Sequence, residues 1–154
     1  MTRGFAAIGL HNPKHKENIG GVLRAAHCYG ASMVAVSGER VKAQQICAAT
    51  NTLQTQRHLP VLRGELKSLI PYAAVPVAVE LVDDAVSIFD FVHPHTAFYV
   101  FGPEDGTLGK AVLDWCPYKI MIPTSHCMNL AACVNVVLFD RMSKQAAKSV
   151  RVAA

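Results

Sequence analysis

A group of small polar side chains precedes the most apolar segment of the chain. The stretch IPTSHCMNLAACVNVVLFDR, residues 122–141, opens with hydroxyl, imidazole, thiol and amide groups and then becomes almost entirely apolar. One capping side chain is enough for the start of a helix, yet Thr124, Ser125, His126 and Asn129 all lie here. The surplus of hydrogen-bonding groups favours a ligand-binding role in addition to helix capping.

Cationic and amide side chains surround a pair of glycines near the amino terminus. In HNPKHKENIGGVLRAA, residues 11–26, Asn18 and Arg24 flank Gly20 and Gly21. Each glycine costs a helix about 1 kcal/mol relative to alanine, which indicates close approach by another group. Asn18 could simply cap the helix, and Arg24 could lie along the surface with its head group in water.

A third polar segment is rich in glycine and contains two adjacent carboxylates, Glu104 and Asp105. This segment, FGPEDGTLGK at residues 101–110, is not a Walker loop, because Lys110 is followed by Ala111 where serine or threonine is required. It also lacks the GxGxxG dinucleotide fingerprint. Considered alone, it is an ordinary connection between a strand and a helix.

Short apolar runs rich in β-forming residues alternate with helical patterns along the chain, which predicts an α/β protein with a mostly parallel sheet and helices on both faces. In such sheets ligands bind outside the carboxyl ends of the strands, so the three polar segments are expected to meet there. The predicted strands are Gly4–Leu10, Ser32–Gly38, Val75–Leu81, Thr96–Phe101 and Tyr118–Pro123. The predicted helices are Ile19–Tyr29, Val41–Ala49, Gly64–Leu69, Leu108–Trp115 and a long final helix from about Met128.

Together the three segments resemble the SpoU-type RNA 2′-O-ribose methyltransferases of the SPOUT superfamily. The resemblance extends from about Ile8 to about Met142, and it looks most like the small single-domain members, which include the wobble-position tRNA methyltransferases. The motif residues are Asn18, Gly20 and Arg24; Phe101, Gly102, Glu104 and Leu108; and Ile122, Pro123, Thr124, Met128, Asn129 and Leu130.

The resemblance implies a C-terminal trefoil knot, a homodimer and S-adenosylmethionine as cofactor. It implies Arg24, Asn18 and Asn129 as catalytic residues. Because a guanidinium is a poor general base, we expect Arg24 to hold a phosphate and stabilise the developing alkoxide, with the base unassigned. Asn18 would orient Arg24 or the RNA, and Asn129 would fix its loop. The implied cofactor-binding residues are Val79, Leu81, Gly102, Glu104, Gly106, Ile122, Thr124, Cys127 and Met128.

Three positions depart from the common family pattern. Cys127 and Ala131 stand where serine is usual, and Phe139 stands where small members often carry tyrosine. The alternative is therefore a catalytically inactive knotted RNA-binding protein; a nucleotide-dependent oxidoreductase is remote. The resemblance favours tRNA over rRNA as the substrate without identifying the modified nucleotide.

The final helix predicts two surfaces. From Met128 to Phe139 it is apolar nearly all round, which predicts a dimer interface that includes Val137 and Leu138. Beyond that, basic residues at helical spacing predict either a stripe that binds RNA phosphates or ordinary solvated charge. These residues are Arg141, Lys144, Lys148 and Arg151.

Composition sets the remaining expectations. The chain has 154 residues, 51% of them hydrophobic and 17% charged, which predicts one compact domain over residues 1–154. The formal charge of +4 permits an anionic partner. No apolar run is long enough to span a membrane, and five cysteines without a CxxC pair suggest reduced thiols in a cytoplasm. His93 and His95 are interpreted as a surface loop, and no metal is expected.

Overall fold

The structure, a computed structural model, describes residues 4–46 and 59–153 and contains one seven-stranded sheet in the order β3-β2-β1-β6-β4-β7-β5, in which all pairings are parallel. The strands are β1 (Phe5–His11), β2 (Met33–Ser37), β3 (Val61–Arg63), β4 (Val75–Val79), β5 (Val86–Ser87), β6 (Thr96–Phe101) and β7 (Tyr118–Met121). The helices are α1 (Lys16–Cys28), α2 (Lys110–Leu113) and α3 (Leu130–Ala153), with a short 3-10 helix at Leu66–Leu69.

The predicted parallel α/β fold is confirmed, and all five predicted strands are present. Two further strands, β3 and β5, were not predicted, because three and two residues are too few to show a periodic pattern. The helix predicted over Val41–Ala49 is present at residues 43–46, and its remainder lies outside the described residues. The predicted knot is not established by strand order and stays a prediction.

Helices cover both faces of the sheet because side chains alternate between the faces along each strand. On β6, Tyr99 and Phe101 face α1 and α3, whereas Phe98 and Val100 face the 3-10 helix and α2. Close packing of α1 on α3 explains Gly21, since a Cβ atom there would lie 2.7 Å from the Cβ atom of Ala131.

The order of the strands places four loops beside one another. Neighbouring strands β1, β6, β4 and β7 are in register at their carboxyl ends, where Phe101 pairs with both Leu10 and Val79 and Val79 pairs with Ile120. The loops that follow these strands therefore meet at a single edge of the sheet, as predicted. The described residues include no helix that is long and apolar enough to cross a membrane.

The prediction of a basic stripe is wrong for Arg141 and Lys144. Arg141 is only 4% exposed and donates hydrogen bonds to the carbonyls of Phe5, Pro94 and His95 at 3.1, 2.5 and 2.6 Å. Lys144 forms an ion pair with Asp140 at 2.8 Å, and its ammonium donates to two backbone carbonyls. The helical spacing that suggested a stripe continues the buried face of α3. Lys148 is exposed, and the Arg151 side chain lies outside the described residues.

The interpretation of His93 as a surface residue is also wrong. Its side chain is 2% exposed and forms hydrogen bonds with the hydroxyl of Tyr99 at 2.6 Å and with Asp140 at 2.7 Å. Arg141 donates to the same hydroxyl at 3.1 Å. We call the set Tyr99, His93, Asp140, Arg141 and Lys144 the distal cluster.

The predicted interface residues Val137 and Leu138 are not available to a partner. They are 0% and 3% exposed, because they pack into this chain's own core between α3 and the sheet. The exposed apolar side chains of α3 are instead Phe139 and Met142, at 54% and 46%. The helix is therefore apolar on two sides, one packed on the sheet and one turned to solvent.

Candidate active site

Two asparagine side chains and one glutamate connect the three polar segments. The Asn129 amide donates a hydrogen bond to the side-chain oxygen of Asn18 at 2.8 Å, and the Asn18 amide donates to Glu104 at 2.6 Å. We call this chain of contacts the amide bridge. It brings together residues 111 and 86 positions apart in the sequence and confirms that the segments meet.

Asn129 has a second function as the cap of α3. Its side-chain oxygen accepts hydrogen bonds from the backbone N–H groups of Ala131 and Ala132 at 2.9 and 3.3 Å, and the helix begins at Leu130. Helix capping therefore accounts for one of the polar side chains that precede α3, Asn129. The nitrogen of the same amide is left to hold Asn18.

Asn18 does not cap α1. The helix begins at Lys16, and His15 occupies the cap position without contributing a side-chain hydrogen bond. Glu104 reaches across from the loop after β6 and accepts hydrogen bonds from the backbone N–H groups of Lys14 at 2.8 Å and His15 at 3.3 Å. A carboxylate at a helix amino terminus is electrostatically favourable. Burial raises the pKa of Glu104, but its three hydrogen bonds outweigh that effect and hold the pKa below its ordinary value.

The neighbouring Asp105 fastens the same loop to two cations. Both of its oxygens accept hydrogen bonds from Arg40, at 2.8 and 2.7 Å, and Lys14 lies 3.3 Å away. The hydrogen bond from Arg40 is the main reason that the pKa of Asp105 falls far below its ordinary value. Sequence reasoning missed Arg40, since it is an isolated arginine outside the three motifs.

A cavity of about 150 Å³ opens beside the amide bridge. Every predicted cofactor-binding residue lines it: Val79, Leu81, Gly102, Glu104, Gly106, Ile122, Thr124, Cys127 and Met128. Six further residues line the cavity that were not among the predicted cofactor-binding residues: Glu80, Phe101, Pro103, Met121, Leu130 and Cys133. Glu80 and Met121 could have been predicted to line the cavity, because they lie near the carboxyl ends of predicted strands. Burial, with a contribution from the Glu80 charge, raises the pKa of the Cys133 thiol to about 12.

Gly102 is required by the tight loop that forms one wall of the cavity. A Cβ atom there would lie 3.2 Å from the backbone nitrogen of Leu108, 3.4 Å from the carbonyl carbon of Thr107 and 3.5 Å from a carboxylate oxygen of Glu80. Any side chain would press on backbone atoms, which cannot move without disturbing the wall.

Arg24 is exposed and does not line the cavity. It makes no hydrogen bond or ion pair with any residue that the structure describes, and in particular none with Asn18. The two residues are six positions apart on α1, roughly 9 Å along the helix axis. Arg24 therefore has its donors available to a ligand, whereas Asn18 is committed to the amide bridge.

A metal centre is not indicated in residues 4–46 and 59–153, where no group of three or more His, Cys, Asp or Glu side chains could hold an ion.

The chain matches known proteins over nearly all its length. The sequence model of the SpoU rRNA Methylase family matches residues 6–139. A curated protein of Archaeoglobus fulgidus, described as an uncharacterized tRNA/rRNA methyltransferase, is 26% identical, with the match covering 94% of this chain and 67% of that protein.

Solved structures share the fold at lower sequence identity. The SpoU methyltransferase AviRb from Streptomyces viridochromogenes, in complex with AdoMet, superposes with a TM-score of 0.81 at 19% identity, covering 95% of this chain and 60% of that one. An AdoMet-bound rRNA methyltransferase from Sinorhizobium meliloti gives 0.80 at 20% identity, covering 93% and 57%. A structure described as giving insight into 2-OH methylation of C/U34 on tRNA gives 0.78 at 18% identity, covering 95% and 99%. This chain thus spans about three fifths of the first two proteins.

Proposed function

Because this chain belongs to the SpoU rRNA methylase family, we propose that it transfers a methyl group from S-adenosylmethionine to a ribose 2′-hydroxyl of RNA. The observation that carries the proposal is the amide bridge beside the cavity. It joins the segment that bears Arg24 to the two loops that line the cavity. The start of the helix that carries Arg24 would then border a methyl donor in the cavity.

The cavity residues fit S-adenosylmethionine. Its adenine ring and aliphatic carbons need apolar walls, which Val79, Ile122 and Leu130 supply. Its hydroxyl, amino and carboxylate groups need polar partners, which the backbone of the Gly102 loop and the hydroxyl of Thr124 offer. When bound, this cofactor supplies the methyl group as part of a sulfonium cation.

Arg24 would act on the acceptor. Its guanidinium is permanently charged, so it would bind the phosphate beside the target ribose and stabilise the oxygen as negative charge develops on it. Asn18 and Asn129 would act indirectly, by holding α1 and the start of α3 against the Glu104 loop. The group that accepts the hydroxyl proton is not assigned.

We favour tRNA over rRNA as the substrate. The support is the structure concerned with 2-OH methylation of tRNA, which this chain matches over 99% of that protein's length, whereas the rRNA methyltransferase from Sinorhizobium meliloti is considerably longer. The departures at Cys127, Ala131 and Phe139 leave the amide bridge in place. A wild-type protein that binds RNA but transfers no methyl group would favour the alternative of a catalytically inactive RNA-binding protein.

The test is substitution of Arg24. In Arg24→Ala we expect the affinity for S-adenosylmethionine, measured by calorimetry, to stay within about threefold, because Arg24 lies outside the cavity. Transfer of labelled methyl to bulk tRNA should fall by at least about 100-fold. Arg24→Lys keeps the charge but loses the bidentate geometry, so partial activity is expected.

Two results would contradict the proposed function. A wild-type protein that binds RNA but not S-adenosylmethionine would be an RNA-binding module. A wild-type protein that binds the cofactor yet methylates base nitrogens or carbons, as located by nucleoside mass spectrometry, would be a methyltransferase of another specificity.

We further propose that the active unit is a homodimer assembled through the outer face of α3. Phe139 and Met142 are both about half exposed on that face, and Tyr29 of α1 extends it, with its ring 6.5 Å from that of Phe139. Wild type should scatter light as a dimer of two 16.6 kDa chains. The Phe139→Asp protein should scatter as a monomer, because a charge would enter an apolar contact. Lys148→Asp, on an exposed position of the same helix, is the control. A Phe139→Asp protein that remains dimeric places the interface elsewhere.

A further inference from the structure

The cavity beside the amide bridge is acidic. Two carboxylates, Glu80 and Glu104, line it, and no lysine, arginine or histidine is among its lining residues in the described part of the chain. Glu104 is already compensated by the amide bridge and by two N–H groups at the start of α1. The electrostatic character of the cavity therefore depends mainly on Glu80.

Glu80 is held rigidly by the two loops that it joins. One carboxylate oxygen accepts a hydrogen bond from the backbone N–H of Leu81 at 3.0 Å, and the other accepts from that of Leu108 at 2.8 Å. These bonds fix the orientation of the carboxylate in the wall without supplying a full positive charge. Among residues 4–46 and 59–153, Glu80 has no cationic partner within ion-pair distance.

The surroundings of Glu80 strengthen any interaction with a charged ligand. It is partly buried, and its neighbours in the wall include Val79, Leu81 and Cys133. A fixed charge beside apolar groups is poorly solvated, so a ligand of opposite charge is favoured over a neutral ligand of the same shape. The contribution of this charge to the raised pKa of Cys133 fits their proximity.

We infer that Glu80 makes the cavity selective for the charge of the methyl donor, an inference that rests on the proposed function. S-adenosylmethionine and S-adenosylhomocysteine differ by one methyl group and one positive charge. In the proposed reaction the ribose oxygen forms a bond to the methyl carbon, the carbon–sulfur bond breaks with its electron pair left on sulfur, and the hydroxyl proton passes to solvent. The sulfur becomes neutral, the attraction to Glu80 is lost, and release of the demethylated product is favoured.

The test measures ligand affinities of the wild-type protein and two variants by calorimetry. In Glu80→Gln the ratio of the affinity for S-adenosylmethionine to that for S-adenosylhomocysteine should fall by about five- to tenfold. Asp83→Asn removes the same charge from an exposed position three residues away and should change neither affinity. Sinefungin, which carries an amine in place of the methyl sulfonium, should behave like the donor.

The ratio of the two affinities distinguishes charge selection from simple positioning. Glutamine cannot accept hydrogen bonds from both Leu81 and Leu108, so a purely structural role would weaken both ligands equally. An unchanged ratio therefore overturns the inference. If circular dichroism shows Glu80→Gln to be unfolded, Glu80→Asp retains the charge and should keep the wild-type preference; loss of that preference would overturn the inference. Failure of the wild-type protein to bind either ligand would instead reject the proposed function itself.

Discussion

The amide bridge and the distal cluster lie at opposite ends of the same sheet and are built from different kinds of side chain. Both join distant segments through side-chain hydrogen bonds, and both include at least one charged group. In the distal cluster, Arg141 donates to four acceptors of its own chain and is buried. Farther along α1 from the amide bridge, Arg24 is exposed and makes no hydrogen bond or ion pair with a residue that the structure describes.

The difference shows that a basic residue at helical spacing is not by itself a sign of RNA binding. Arg141 lies beneath α3 and donates to carbonyls at the amino ends of β1 and β6, so its hydrogen bonds hold the fold together. At the carboxyl ends, loops leave donors and acceptors open to a ligand. Available hydrogen-bonding capacity, rather than charge, separates the two regions.

Loss of the Arg141 side chain should have the largest effect on stability. In Arg141→Ala we expect the free energy of unfolding to fall by about 3 kcal/mol or more, because the carbonyls of Phe5, Pro94 and His95 lose their donor inside the protein. Urea denaturation measures the change. Lys148→Ala, at an exposed position on the same helix, should stay within about 0.5 kcal/mol of wild type.

The opposite result would assign Arg141 to RNA binding. If Arg141→Ala kept its urea midpoint but bound RNA more weakly and with a smaller salt dependence, the basic stripe would be an RNA contact after all.

A smaller effect is expected from pH, because the distal cluster contains the buried His93. Burial is the main reason that the pKa of His93 lies below its ordinary value of 6.5, although Asp140 opposes the shift. Below pH 6.5 the unfolded chain therefore binds a proton that the folded protein does not, and stability falls as the pH decreases. The slope should reach at most about 1.4 kcal/mol per pH unit and should flatten in His93→Gln.

The amide bridge should fail in a different pH range. The pKa of Glu104 is held below its ordinary value of 4.5, so its contribution is complete above that pH and is lost only as the pH falls further. Thermal melts of wild type and His93→Gln between pH 7 and about 3 would separate the two ranges. A melting temperature that does not change between pH 6.5 and 5 would show that His93 titrates normally.

The local pattern of the sequence determined the parallel sheet, the three polar segments and the edge at which they meet. These features follow from short-range chemistry: apolar runs of strand length, glycine at turns, and the rule that parallel strands end together. The family resemblance added the cavity residues, since Gly102, Thr124 and Met128 belong to motifs of fixed spacing. A motif preserves the identity of residues whose backbone and side chains must face one ligand.

Which polar groups are satisfied within the chain depends on long-range packing, which the local sequence pattern does not show. In the sequence, Asn18 and Asn129 look like any helix-capping residue. Their contact, between residues 111 positions apart, depends on how α1 packs against α3. Arg141 is buried because α3 turns that face to the sheet, a choice that its own charge pattern opposes. Glu80 enters the cavity because β4 lies between β6 and β7, and the order of strands is a property of long-range pairing that no local window contains.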